Sequence, residues 1–259
     1  MTPVPKELFY FARIVERRDI SDDLWIIRVD PGGEFKYLPG QYATLGIANA
    51  EKRVERPYSI ASAPHEKLLE FFLELVPQGQ LTPPLHDARV GDALTLRKTA
   101  KGNLTLDLSG ASSGGATNHL LIATVTGVCP FVGYVRHLEN ESKNARFRGE
   151  HKLFLLQGAS RSWELGYAEE MAHAASEFPW MTYVPTISRP TEDKGWTGET
   201  GRVDDLVRKY TDQWNLTPDN SRVYLCGHPG MIENVRGIVK RGGWRDDTIK
   251  QEAFFVIRD

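Results

Sequence analysis

Residues 109–124 read SGASSGGATNHLLIAT: ten small, polar, glycine- and serine-rich positions followed by a short apolar run. The first part has the composition of a domain linker and the second that of a buried strand. On the N-terminal side lie short strand-like runs: FYFARIVER (9–17), LWIIRV (24–29), QYATLGI (41–47), RPYSIAS (56–62), LLEFFLELV (68–76), DALTLR (92–97) and NLTLDL (103–108). Gly32-Gly33, Pro39-Gly40 and Gly91-Asp92 punctuate them, so the spacing predicts an antiparallel β-barrel or sandwich. On the C-terminal side, HLLIAT (119–124), KLFLLQG (152–158), MTYVPTIS (181–188) and RVYLCG (222–227) are each followed by a longer segment with helical spacing. That is the pattern of βαβ units and a parallel sheet. The expected architecture is an antiparallel barrel over residues 1–110 followed by a Rossmann-like α/β domain over residues 111–259.

Composition removes several function classes. The 32 Lys and Arg against 34 Asp and Glu give a formal charge of −2, so no whole-protein field gathers nucleic acid or an anionic membrane. The balance holds on both sides of residue 110, with 14 basic and 15 acidic residues before it and 18 and 19 after it. Two cysteines, Cys129 and Cys226, are too few for an iron–sulfur cluster or a Cys₄ zinc site, and no metal is expected. The N-terminal MTPVPKELFYFARIVERRD has charges throughout and no apolar signal core, which reads as cytoplasmic.

Open α/β sheets bind ligands beyond the carboxyl ends of their strands, so the loops after Ile122, Leu156, Ile187 and Leu225 are the places to look for chemistry. The first reads Thr124-Val125-Thr126-Gly127-Val128-Cys129-Pro130-Phe131, a turn leading straight into a helix, where unpaired N–H groups and a helix dipole suit a pyrophosphate. The last reads Cys226-Gly227-His228-Pro229-Gly230-Met231. Arg161 in GASRS, Arg189 in TISRP and Arg202 in TGRV each follow a strand or its loop, and a planar guanidinium suits a phosphate. In the barrel, Arg56-Pro57-Tyr58-Ser59 puts Arg56 and Tyr58 on one strand face, an arginine for a phosphate beside a tyrosine for a flat ring. Gly79-Gln80-Leu81-Thr82, ahead of Pro83-Pro84-Leu85, is a second loop suited to a pyrophosphate.

The order of these motifs resembles the ferredoxin–NADP⁺ reductase family, in its bacterial form, across nearly the whole chain. That family has R-x-Y-S and then G-x-L-T/S in a flavin domain, followed by T-G-T-G-I/V-A-P and C-G-x-P-x-M in a nucleotide domain. The resemblance implies FAD on the barrel, with Tyr58 stacked on the isoalloxazine, Arg56 on the pyrophosphate and Ser59 near flavin N5. It adds Pro57, Leu73 and Leu75 to the FAD site. It implies NADP(H) on the α/β domain, held by Thr126, Gly127, Arg161, Ser188, Arg189, Arg202, Gly227 and Met231, with Cys226 against the nicotinamide. Glu252 and Phe254 fit the family's terminal E-x-aromatic, with Ala253 or Phe255 as alternative stacking positions. Ser59, Cys226 and Glu252 are the implied catalytic set.

The implied activity is hydride transfer between NADP(H) and FAD, with single electrons passing to a separate ferredoxin or flavodoxin. Two alternatives remain open: an NADH-dependent reductase component of an oxygenase, and a non-catalytic flavin-binding regulatory subunit. This chain departs from the family's nucleotide loop at Val125, in place of glycine, and Cys129, in place of alanine. A β-branched side chain restricts the backbone and narrows the approach of phosphates. Convergence of the first and last nucleotide loops also brings Cys129 and Cys226 into question as a redox-sensitive pair.

Overall fold

The computed structural model describes residues 7–47, 54–110 and 117–253. Its first half is a six-stranded antiparallel sheet in the order β4-β3-β6-β1-β2-β5, built from β1 (Phe9–Asp19), β2 (Leu24–Asp30), β3 (Tyr42–Ile47), β4 (Glu55–Ser59), β5 (Leu69–Glu74) and β6 (Ala93–Arg97). The sheet curls until its two outer strands meet. Ala61 N donates to Glu70 O at 2.9 Å just beyond β4, and Glu70 N donates to Ser62 Oγ at 3.1 Å. Alternation sends Ala12, Ile14, Trp25, Ile27, Ala43, Leu45, Phe71, Leu73, Leu94 and Leu96 into the barrel core. Pro57 cannot donate to a ladder and sits on β4, an end strand.

The second half is a parallel sheet in the order β10-β9-β8-β7-β11-β12. Its strands are β7 (Asn118–Thr124), β8 (Lys152–Ala159), β9 (Met181–Ile187), the two-residue β10 (Glu199–Thr200), β11 (Ser221–Gly227) and β12 (Ile249–Ala253). A short α1 (Thr82–Asp87) belongs to the barrel; α2 (Cys129–Lys143), α3 (Ala168–Glu177), α4 (Val203–Gln213) and α5 (Pro229–Arg241) cover the sheet. Leu120, Ile122, Leu156, Val223 and Leu225 pack under α4 and α5. Leu121, Ala123, Leu153, Leu155 and Tyr224 pack on the other face with α2 and α3. Burial on both faces explains why these strands read as continuous apolar runs.

The barrel and the parallel sheet match the expected fold class. The run 103–108 is the exception: it is irregular, not a strand. Its backbone is taken by side chains of the second half, since the Tyr134 hydroxyl donates to Leu104 O and Asp107 N donates to Tyr224 Oη at 3.2 Å.

The two halves share a core. Leu24, Ile26 and Phe72 on the outer barrel face join Phe131, Val135, Tyr167 and Met171 in one cluster. Glu70 of β5 is 7% exposed and accepts from the Tyr167 hydroxyl at 2.9 Å and from Arg136 Nη2 at 3.0 Å. Arg136 also grips Glu170 through two bonds, of 2.6 and 2.9 Å.

Candidate functional site

Strand order reverses between β7 and β11, and both strands end at loops that pack on one another. Gly127 is what allows the contact: a Cβ there would lie 2.3 Å from Cys226 O. Gly227 sits at φ 138°, where a Cβ would strike Thr124 Oγ1 at 2.1 Å, and that oxygen accepts from His228 N at 2.8 Å. Main chain therefore meets main chain at the head of the crevice, as close approach to a dinucleotide requires. Val125 lies in the same loop at φ 45°, the left-handed region that β-branched residues avoid. Its side chain packs against the cluster of Ala159, Leu165 and Ile187, and this packing opposes the backbone strain.

Three elements converge beside that loop. Ser59 ends β4, Cys226 lies near the end of β11, and Glu252 is one residue from the end of β12. The Ser59 hydroxyl donates to Glu252 Oε1 at 3.1 Å across 193 residues of sequence, and the Cys226 thiol lies beside it. Cys226 pairs in register with Glu252, which fixes both at one height in the sheet. Burial raises the Glu252 carboxyl above the usual carboxylate range, with the Ser59 hydrogen bond opposing it. Glu252 Oε2 faces Gly102, where a Cβ would come within 3.1 Å of it. The three residues implied by the sequence as a catalytic set thus form one contact group at the seam between barrel and sheet.

Arg56 lies opposite Leu45 and Tyr58 opposite Ala43, so the two share a strand face as expected, and Ser59 lies on the other with Tyr42. Burial pushes the Tyr58 phenol upward and keeps it neutral. Arg56 Nη1 donates to Glu55 O at 2.8 Å. In the loop 79–82, the Thr82 hydroxyl is spent on Val76, accepting from its N and donating to its O, both at 3.0 Å. The amides of Gln80, Leu81 and Thr82 have no acceptor among the described residues. The backbone of this loop fits a pyrophosphate, and the hydroxyl closes the turn. Leu73 is 1% exposed in the barrel core, and Leu75 packs against its edge.

The arginines beyond β8, β9 and β10 all have acidic neighbours. Arg161 pairs with Glu164 and Glu192, Arg189 with Glu192 at 3.7 Å, and Arg202 Nε with Asp204 at 3.2 Å. Ser188 is exposed beside Arg189. Met231 is 1% exposed in the core under α5, so its side chain points away from the crevice. His228 caps α5, its Nδ1 accepting from Gly230 N at 3.1 Å. Thr126 is buried at the loop, Ala253 is exposed and paired with Gly227, and Phe254 and Phe255 lie outside the described residues. Cys129 and Cys226 are both free and buried; burial pushes the Cys129 thiol up to about 12 and raises the Cys226 thiol well above its ordinary value, so neither is poised as a reactive thiolate. No group of His, Cys, Asp and Glu that could hold a metal ion occurs among the described residues.

Sequence reasoning missed the acidic partners of these arginines and a buried chain at the other end of the sheet. There, His151 Nε2 lies 3.0 Å from Leu108 O, His151 Nδ1 lies 2.9 Å from His119 Nε2, and His119 Nδ1 lies 3.3 Å from the Tyr224 hydroxyl.

Comparison with known proteins agrees with this geometry. Residues 12–105 match the family described as Oxidoreductase FAD-binding domain, and residues 121–237 match Oxidoreductase NAD-binding domain. Ferredoxin–NADP reductase A of Sorangium cellulosum is 30% identical over 257 residues, covering 94% of this chain and 87% of the relative. The phenol hydroxylase P5 protein of Acinetobacter pittii is 26% identical over 257 residues, covering 96% of this chain and 67% of the relative. The crystal structure of a ferredoxin NADP⁺ reductase from Neisseria gonorrhoeae with bound FAD and NADP superposes with a TM-score of 0.80 at 22% identity, covering 95% of this chain and 99% of that one. No helix among the described residues is long and apolar enough to cross a membrane. With an FAD-binding barrel, an NAD-binding sheet in that order and the Sorangium relative matched along almost its full length, the chain belongs to the ferredoxin–NADP reductase family.

Proposed function

We propose that this chain is an FAD-dependent reductase that exchanges a hydride with NADP(H) and passes electrons one at a time to a separate ferredoxin or flavodoxin. The observation that supports this reading is the junction of Ser59, Glu252 and Cys226, where the flavin motif of the barrel abuts the end of the nucleotide-binding crevice. FAD, when bound, supplies the chemistry that couples a two-electron nucleotide to one-electron partners. The loop 79–82 presents its free amides to the pyrophosphate, and Arg56 and Tyr58 would hold FAD from their shared strand face. Gly127 and Gly227 keep the crevice head clear of side chains for the dinucleotide. Burial raises the Glu252 carboxyl above the usual carboxylate range and the Ser59 hydroxyl donates to its Oε1, which places a proton-exchanging pair at the junction.

A second reading, an NADH-fed reductase serving an oxygenase, is favoured by the acidic pairing of Arg161 and by the phenol hydroxylase relative. Anaerobic titration of the yellow protein separates the readings. Bleaching by NADPH at lower concentration than NADH supports the first, and the reverse order supports the second. A bound flavin that neither nucleotide reduces would overturn both and favour a regulatory flavin-binding subunit.

A further inference from the structure

The loops after β8 and β9 are stitched together by one carboxylate. Arg161 Nε donates to Glu192 Oε2 at 2.8 Å, and Arg161 Nη2 pairs with the same oxygen. The other oxygen of Glu192 lies 3.7 Å from Arg189 Nη1. Arg161 Nη1 is taken by Glu164 Oε1 at 3.0 Å, so each nitrogen of this guanidinium meets a carboxylate oxygen. The two glutamates are not equivalent. Glu164 is anchored, since its Oε2 also accepts from Ser160 N at 2.8 Å and Arg161 N at 3.3 Å. The Glu192 side chain is 45% exposed, and among the described residues its only partners are the two arginines.

We propose that Glu192 is a built-in occupant of a phosphate site: its carboxylate sits between Arg161 and Arg189, so a nucleotide with a 2′-phosphate must displace it and one with a free 2′-hydroxyl need not. The proposal rests on the pyridine-nucleotide reading above and names what sets the choice of nucleotide. Carboxylate and phosphate are gripped by the same planar fork, and two anions cannot share it without strong repulsion. A carboxylate can also accept a hydrogen bond from a ribose 2′-hydroxyl, whereas arginine serves the phosphorylated form. The discrimination between NADPH and NADH is therefore held down by Glu192, despite three arginines at that end of the crevice. Ser162 N, donating to Asp193 Oδ2 at 3.0 Å, keeps the two loops together when Glu192 swings out.

The test uses the flavin-loaded protein, titrated calorimetrically with AMP and with its 2′-phosphorylated counterpart, adenosine 2′,5′-bisphosphate. In Glu192→Gln and Glu192→Ala, affinity for the bisphosphate relative to AMP should rise about tenfold, with a gain that shrinks as salt is added. The ratio of kcat/KM for NADPH to that for NADH should rise in step. Adding Arg161→Gln to Glu192→Gln should cancel the gain, because the vacated fork is then gone. If AMP binds and the bisphosphate ratio stays within about twofold of wild type, the displacement idea is overturned while the dinucleotide reading stands. A lowered melting temperature with an unmoved ratio would also overturn it, assigning Glu192 to loop structure alone. If wild type and variants bind neither probe, the dinucleotide reading fails and the proposal fails with it.

Discussion

Gly127 leans on Cys226 so closely that the 2.3 Å between an added Cβ and the Cys226 carbonyl oxygen could be relieved only by moving backbone. Gly127→Ala should part the loops after β7 and β11. We expect KM for the nucleotide to rise about tenfold or more and stability to fall by about 1–3 kcal/mol, the usual range for forced overpacking. The visible flavin spectrum should persist, since the barrel motifs lie elsewhere. Steady-state kinetics and thermal melts check both parts.

Val125 offers a sharper comparison, because its backbone and side chain pull in opposite directions. Val125→Gly releases about 1–2 kcal/mol of left-handed strain but gives up apolar packing and adds about 0.5–1 kcal/mol of chain entropy in the unfolded state. Val125→Ala loses packing and keeps the strain. The glycine variant should therefore stay within about 1 kcal/mol of wild type, and the alanine variant should lose about 1 kcal/mol or more. The glycine variant should also bind the nucleotide more tightly. Urea unfolding and nucleotide titration of the pair decide it, and a greater loss of stability in the glycine variant than in the alanine variant would show that φ 45° stores no strain.

Removing the Ser59 hydroxyl or the Glu252 carboxyl should slow flavin reduction or reoxidation by about a hundredfold, the low end of what a positioned proton donor contributes. The pH dependence tells the two apart. Because the Glu252 carboxyl is raised by burial, wild type should lose rate as pH rises through a point above the usual carboxylate range. Glu252→Gln should abolish that inflection, and Ser59→Ala should move it upward by removing the hydrogen bond that favours the charged form. Stopped-flow rates measured across pH give the answer.

The buried histidines predict acid sensitivity. Leu108 O can only accept, so His151 Nε2 must hold a proton, His151 Nδ1 must accept from His119 Nε2–H, and His119 Nδ1 must accept from the Tyr224 hydroxyl. Every link requires neutral rings. Burial, reinforced by the neighbouring His151, lowers His119 to about 3, and burial lowers His151 too; Asp107 opposes the shift, while Arg222 and Lys250 add to that of His119. The unfolded chain takes up protons near pH 6.5 and the folded one does not, so stability is complete above about pH 6.5 and declines as pH falls toward 3. His119→Gln should flatten that slope in denaturation series between about pH 7 and pH 4, while lowering stability at pH 8 by about 1–3 kcal/mol.

What could be read from the residues was whatever depends on local pattern. Alternation put Arg56 and Tyr58 on one face, and the loop departure at Val125 marked the position that proves to be backbone-strained. Motif order was enough to unite Ser59, Cys226 and Glu252. Side-chain direction at the rim was not legible. Met231 and Leu73 share motifs or strands with site residues, yet helix and strand phase turns both into cores. The engagement of Arg161 by Glu192 depends on how two loops from different strands approach, and the His119–His151 contact depends on strand register; neither leaves a trace at fixed spacing. The run 103–108 alternates like a strand, but its carbonyls and amides find partners in the second half instead of a ladder.

Strand β5 has one further consequence. Through Glu70 it fastens the barrel to itself at Ala61, and through the same residue it holds Tyr167 and Arg136 of the neighbouring half. Heat therefore has no route for peeling one lobe from the other: loosening the seam opens the barrel, and opening the barrel strips Arg136 of its buried counter-charge. The molecule should melt as a single cooperative unit, with one calorimetric peak, despite being assembled from two sheets of opposite construction.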